Sequence, residues 1–370
     1  MVSRTTNMED PNDKGDQERT WEDLPTELLD LISSSLCLGD CIRFRLTCKS
    51  WISVTPPLRS NHLPMQPESG SQLPWLVSFR KVKNGVCNFY HPVSSDSYTM
   101  YIPELAGALL RNARYGWLLL SKKKSTCILL FNPFTTEIVN LPDLEDGDGP
   151  FQNMFFSSPP TSSDFVVYGL STYTMVVYHK GENTWDTYSL RNPPKFKIFA
   201  APCNPVFYGS VFYFLCTDGM LALFNPKAIE EESQWEIFPE SALYCMSPNL
   251  AVSTTRNFIV EYNGEILAIF VGLVGKPISV FKLDHLKMKW DRLETLDDKA
   301  VFVSHQSSTL IPAGLKGIEN RIYFPRLHGQ DNSFYSLSTH NYHSFGSKDS
   351  CEEWLNSTEH WDCAWIHPTA

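Results

Sequence analysis

Nowhere in these 370 residues is there an apolar run of the roughly 18 residues that a membrane-crossing helix needs, so no membrane association is expected. The first twenty residues are polar and charged with no apolar segment among them, and they read as a disordered tail without a secretory signal. Charge is scarce, at 19% of residues, and its balance of −10 offers no general attraction to a phosphate backbone. Nucleic acid is therefore not an expected partner. The ten cysteines include no Cys-x-x-Cys pair, and Gly39 between Cys37 and Cys41 disfavours one continuous helix there. They are expected to be reduced core thiols of a cytoplasmic or nuclear protein, which leaves the sequon Asn356-Ser357-Thr358 without meaning. No metal site is expected.

Catalytic motifs are missing too. There is no Gly-x-Ser-x-Gly, His-Glu-x-x-His, Walker loop or Rossmann fingerprint, so neither a catalytic residue nor a cofactor is expected. Gly147-Asp148-Gly149 lacks the ligand spacing and terminal Glu of a calcium loop and reads as a solvated acidic turn. Lys122-Lys123-Lys124 reads as a charged hairpin turn, and His340 and His343 as surface residues.

What is present begins at Trp21. Residues 21–57 suggest three short helices. Pro25 suits a helix start, Glu27 favours the positive end of the helix dipole, and Leu28, Ile32 and Leu36 recur every fourth residue with Leu29 beside them. Gly39 and Asp40 stop one segment and cap the next, Thr47 caps a third, and Pro56 and Pro57 end it. So small a unit cannot hide Leu24, Leu28, Leu29, Ile32, Ile42, Phe44, Leu46, Trp51 and Ile52 by itself, so part of this surface must pack on another domain or another chain.

The pattern Leu24-Pro25, Glu27-Leu28-Leu29, Ile32, then Asp40 and Arg45, then Cys48-Lys49 and Trp51 resembles an F-box. That resemblance implies docking on a Skp-type adaptor and, through it, on a cullin. The residues it assigns to the adaptor interface are Leu24, Pro25, Leu28, Leu29, Ile32, Cys48 and Trp51.

Residues 58–74 form a Pro/Ser-rich linker, and from Trp75 onward short apolar runs alternate with turn residues. An aromatic strand end, a turn and a second strand recur: Phe131-Asn132-Pro133 leads to Leu141-Pro142, Tyr178 to Trp185, Phe224-Asn225-Pro226 to Trp235, and Phe281 to Trp290. Weaker copies start at Tyr90 and Tyr335. The anchors lie about 40 to 57 residues apart, the period of a propeller blade, and each is preceded by apolar strands such as Gly116 to Leu120 and Val211 to Leu215. The recurring Trp117, Trp185, Trp235 and Trp290 are expected in the blade cores. The expected fold is mainly β: a three-helix F-box, then a β-propeller of about six blades over residues 75–370. A β-sandwich or a pair of small β-domains is the alternative, and a repeat this sustained argues against both. Residues Trp361 to Ile366 are expected to complete the first or last blade.

Residues 298–324, together with GWLLL and LFNPFTTEIVNLP, are similar to a plant C-terminal domain of the KIB-like, F-box/kelch-like kind. The kelch Gly-Gly pairs are absent. The resemblance implies the substrate receptor of a Skp–cullin–F-box ubiquitin ligase, whose propeller recruits a protein target. The alternative is a non-degradative scaffold that sequesters or relocates a regulatory protein. The target and the loops that bind it are not readable.

Overall fold

The computed structural model describes residues 24–35, 44, 47, 51, 73–79, 85–93, 97–122, 126–144, 151–171, 174–190, 203–216, 218–228, 235–241, 252–272, 275–313, 317–328, 331–344, 358–359 and 362–367. Six β-sheets follow one another along the chain as the six blades of a propeller. The second to fifth blades are four-stranded antiparallel meanders in sequence order, starting from Ala108–Arg114, Asn153–Phe156, Val206–Tyr208 and Val252–Tyr262. These first strands are innermost, and neighbouring ones approach each other around the axis.

The repeat seen in the sequence has a physical cause. Five of the six aromatic anchors fall on the third strand of a blade, Val86–Tyr90, Ile128–Asn132, Thr174–His179, Leu221–Phe224 and Ile278–Asp284, and the sixth falls on Asp331–Ser336, the fourth strand of a blade that carries one extra strand. In three blades the next turn is held by an Asn or Asp carbonyl or carboxylate oxygen that accepts backbone N–H groups two or three residues on. Asn132 accepts from Phe134 and Thr135, Asn225 from Lys227, and Asp284 from Leu286 and Lys287. Three innermost hairpins turn through two residues of positive φ, Tyr115-Gly116, Gly209-Ser210 and Asn263-Gly264, whose twist matches that of the flanking strands.

The core lies between blades. Along the second blade, Leu118, Leu120, Leu129 and Phe131 pack toward the first blade, while Trp117, Leu119, Ile128 and Leu130 pack toward the third. Both faces of the sheet are buried, which is why these strands read as continuous apolar runs rather than alternating ones. The same arrangement joins the third and fourth blades through Phe155, Tyr168, Phe212 and Phe214, and the sixth and first through Phe302, Tyr323 and Trp365. Trp117 and Trp290 are blade core as expected, but Trp185 and Trp235 are only half-buried. The indoles of Trp185 and Trp290 donate to backbone carbonyls of the preceding blade, at Pro142 (2.8 Å) and Gly219 (3.0 Å).

Closure is made by the C-terminal strand. Cys363–Ile366 pairs with Trp75–Ser78 and becomes the innermost strand of the first blade, with Trp75 opposite Ile366. The ring thus covers every sheet face and joins the two ends of the propeller segment.

The sixth blade departs from the pattern. An extra strand, Lys299–Phe302, is inserted between the innermost strand Thr309–Pro312 and the next strand, Arg321–His328, running parallel to the latter. Strand directions put the loop 303–308 at the end of the propeller where the chain crosses between blades, opposite the end that carries the innermost hairpins.

Candidate functional site

Two regions of this molecule carry side chains set up for recognition. The first is the helix Thr26–Ser35. Pro25 precedes it, and its carbonyl accepts the N–H groups of Leu28 and Leu29 at 3.1 Å each, so the ring sits where no helical N–H is required. Glu27 occupies the first turn. The helix does not bury one stripe as its spacing suggests. Leu29 is 2% exposed, whereas Leu28 is 46%, Leu31 68% and Ile32 36% exposed. Leu28, Leu31 and Ile32 share a face at i, i+3 and i+4, forming an open apolar ridge. Leu24 is half-buried and Pro25 exposed. Trp51 is half-buried with its ring 4.3 Å from that of Phe44. Leu36 and Cys48 lie outside the described residues. Leu31, the most exposed of the ridge, escaped the sequence reading because it falls off the four-residue spacing used to find the others.

The second region is the propeller axis. At its hairpin end Arg114 of the second blade reaches Glu261 of the opposite fifth blade, Nη2 to Oε2 at 3.4 Å. Glu261 also accepts the Gly264 N–H at 3.1 Å. Tyr115 lies beneath the guanidinium, 4.8 Å from its ring, and donates its hydroxyl to the Ser157 carbonyl at 3.0 Å. Burial pushes the Tyr115 phenol up from its ordinary value; Arg114 opposes that shift, and Glu261 and Asp164 add to it.

At the crossover end the loop 303–308 meets the first and fifth blades and Asn204 ahead of the fourth, and Asn204 in turn reaches the second and third. Asn204, ahead of the fourth blade, donates its backbone N–H to His305 O at 2.9 Å. Its side-chain Nδ2 donates to Arg111 O at 2.6 Å and Gln306 O at 3.1 Å, and its Oδ1 faces Asn153 Nδ2 at 3.4 Å. His305 packs 5.3 Å from Phe258 of the fifth blade. Ser307 Oγ donates to Trp365 O at 2.6 Å, and Trp365 Nε1 donates to Val303 O at 3.0 Å, which ties the closing strand to the loop. Arg111 itself donates from Nε to Ser121 Oγ at 2.7 Å, and its burial lowers its pKa.

None of this axial cluster was singled out from the sequence. Its one local sign is an asparagine in or just before four successive innermost strands, Asn112, Asn153, Asn204 and Asn257.

Residues 21–56 match the F-box domain family, and residues 89–347 match the KIB1-4 beta-propeller family. The chain belongs to the F-box proteins with a KIB1-4 propeller. An F-box/kelch-repeat protein of Arabidopsis thaliana is 32% identical over 87% of this chain and 88% of its own length. Two F-box proteins of the same plant are 31% and 30% identical, over 83% and 78% of this chain and 76% and 74% of theirs. The run 298–324 that carries the family resemblance spans the extra strand, the loop 303–308, the innermost strand of the sixth blade and the start of Arg321–His328. An F-box joined to a propeller is the architecture of a substrate adaptor in Skp–cullin–F-box ligases.

Other marked residues take structural places. Cys87, Cys203, Cys216 and Cys363 are buried, and burial raises Cys87 and Cys203 to about 12, far from a reactive thiolate. His343 is not the surface residue expected: it is half-buried and stacked 5.5 Å from Phe334, and burial, then Arg321, lowers its pKa. His340 is exposed. Lys123, Lys124 and residues 147–149 lie outside the described residues. No helix among the described residues is long and apolar enough to cross a membrane.

Proposed function

We infer that this chain is the substrate-receptor subunit of a Skp–cullin–F-box ubiquitin ligase, acting in the cytoplasm or nucleus. The observation that carries this reading is the exposed ridge of Leu28, Leu31 and Ile32 on the F-box helix, an apolar surface that a free helix would not leave in water. In the proposed complex the ridge, with Leu24, Pro25, Cys48 and Trp51, docks on the Skp-type adaptor, while Leu29 holds the helix to its own domain.

The propeller then holds a protein target. Supporting a division of labour between its two ends, Trp75 pairs with Ile366, so the linker from the F-box and the chain after the closing strand both leave from the hairpin end. The opposite end carries the crossovers between Asn140 and Asn153, Ser189 and Val206, and Phe238 and Val252, longer connections of the kind that carry recognition. The target is assigned to that end. Such a receptor works by proximity: a tethered target meets the charged conjugating enzyme at high effective concentration, and no catalytic group of its own is needed.

The test is a pull-down of the full chain beside a version lacking residues 21–57, with and without proteasome inhibition. Adaptor and cullin retained only by the full chain, with targets accumulating on both under inhibition, is the expected result. Adaptor absent from both refutes the ligase role; a partner held at unchanged abundance favours a non-degradative scaffold.

A further inference from the structure

Arg111 is a guanidinium held by neutral groups alone. It lies on the innermost strand of the second blade, where the ladder skips from the Leu110–Leu120 pair to the Asn112–Leu119 pair. Such a bulge frees a side chain from the ladder and re-aims it. Ser121 shares a face of the sheet with Leu119, which packs toward the third blade. On that face Arg111 Nε donates to Ser121 Oγ at 2.7 Å, and Nη1 donates to Phe151 O of the crossover at 3.4 Å. The guanidinium therefore occupies the seam between the second and third blades. Ser121 is close to the end of Trp117–Lys122, and Phe151 comes just before Asn153–Phe156, so both mark the crossover end. The backbone around it is fixed: Arg111 O accepts from Asn204 Nδ2 at 2.6 Å, and the Gln152 N–H beside Phe151 O donates to Leu170 O at 2.9 Å.

This cation lacks a counter-charge. No carboxylate among the described residues pairs with it, whereas Arg114 on the same strand has Glu261. Neither N–H of Nη2 has an acceptor among the described residues, and Ser121, which accepts from Nε, keeps its own O–H to give. Burial alone lowers the Arg111 pKa, with no neighbouring acid to oppose it. A guanidinium withdrawn from water is costly until an anion meets it. Arg111 is half-buried rather than sealed, so an anion can reach it from the crossover end. Its free Nη edge is planar and matches two oxygens held in one plane. Lys122 alternates to the opposite face of the sheet from Ser121, so the seam offers one positive charge. That suits a carboxylate better than a phosphate, which carries nearly two negative charges. We propose that Arg111, with the Ser121 hydroxyl, binds a carboxylate of the protein target in the seam between the second and third blades. This inference rests on the receptor reading above, which assigns the target to the same end.

The test uses the full chain, and its first readout needs neither adaptor nor target. Thermal unfolding is followed with N-acetylglutamate α-amide, N-acetylglycine, N-acetylglutamine α-amide and inorganic phosphate at equal ionic strength. The expected result is a saturable rise in melting temperature with either carboxylate, and none with the glutamine amide or in Arg111→Met. Arg111→Lys, which keeps the charge and loses the fork, is expected to weaken half-saturation about tenfold. A rise with the glutamate probe assigns the site to an acidic side chain, and one with N-acetylglycine to a chain terminus. No rise with either carboxylate, an equal rise in Arg111→Met, or a larger rise with phosphate overturns the proposal. So does a carboxylate that binds only after Glu145, Asp146 and Asp148 are neutralised, because the chain then supplies its own anion. Should Arg111→Met not fold, Arg111→Lys decides. In the pull-down, Arg111→Met is expected to keep adaptor and cullin and to lose the targets held by the unaltered chain. Targets kept by that variant overturn this inference alone, while adaptor absent from the unaltered chain refutes the receptor reading instead.

Discussion

Arg114 and Glu261, 147 positions apart in the chain, meet at 3.4 Å across the axis of the propeller, each from the innermost strand of a blade opposite the other's. The pair closes the hairpin end of the axis as Asn204 and the 303–308 loop close the other, and it couples two blades that share no sheet edge.

Its worth to stability is modest. The two side chains are 29% and 15% exposed, and a partly solvated pair of this kind contributes up to about 1 kcal/mol. Arg114→Ala and Glu261→Gln are each expected to lower the denaturation midpoint slightly, with the double variant no worse than the larger single loss. Strictly additive losses in that double-mutant cycle would show that the two do not act as a pair.

On the F-box helix, exposure separates binding from folding. Leu28→Ala and Leu31→Ala are expected to leave thermal stability almost unchanged while each costs about 1–2 kcal/mol of adaptor affinity by calorimetry. Leu29→Ala, at a buried position, is expected to cost about 2–5 kcal/mol of domain stability instead. Adaptor affinity indifferent to Leu31 would remove the ridge from the interface.

Ring closure rests on Trp365. Its ring is buried against Phe302 and its Nε1 donates to Val303 O. Trp365→Phe keeps most of the packing and loses the hydrogen bond, an expected cost of about 1–2 kcal/mol, whereas Trp365→Ala adds a cavity and costs about 3–5 kcal/mol. Both are read from urea unfolding of the full chain. Equal midpoints for the two variants would contradict the packing role.

Acid sensitivity is expected at Glu265. Hydrogen bonds from Lys282 and then Lys299, the latter at 2.7 Å, hold its carboxyl below the ordinary 4.5. A carboxyl depressed in the folded state adds stability that is fully present above pH 4.5 and is lost as pH falls through its folded value. Glu265→Gln should therefore flatten the stability–pH curve on the acid side of pH 4.5 and lower the plateau above it. An unchanged acid limb in melting curves would exclude this contribution.

Much of the fold was legible because its causes are local. The blades announced themselves through the third-strand aromatics and through Asn132, Asn225 and Asp284, whose turns are satisfied within three residues. The runs at Leu118 to Leu120 and Ile128 to Phe131 betrayed sheets buried on both faces. The strand ending in Trp365-Ile366 stood out as a completing strand, and the structure pairs it with the first blade. The extra strand Lys299–Phe302 was not separable from its neighbours, since a parallel insertion changes topology without changing strand chemistry.

The site was legible only in part. Leu28 and Ile32 followed from helical spacing, but which leucine faces in and which faces out depended on what the helix packs against. The amides at the crossover end carried no motif: Asn112, Asn153 and Asn204 lie in or just before different strands, far in sequence from one another and from His305 and Gln306.

The amino-acid sequence by itself determined the F-box, the repeat of about six blades and a closing C-terminal strand, because periodicity, capping and turn chemistry act over a few residues; that there are six blades and that the strand joins the first was decided by the tertiary structure. Tertiary structure alone decided that Leu31 is on the open ridge, that Arg114 pairs with Glu261, and that Asn204 and a loop of the last blade meet at the crossover end. Those relationships arise when ring closure brings distant strands to one line, and no short-range preference in the chain encodes which residues then face each other.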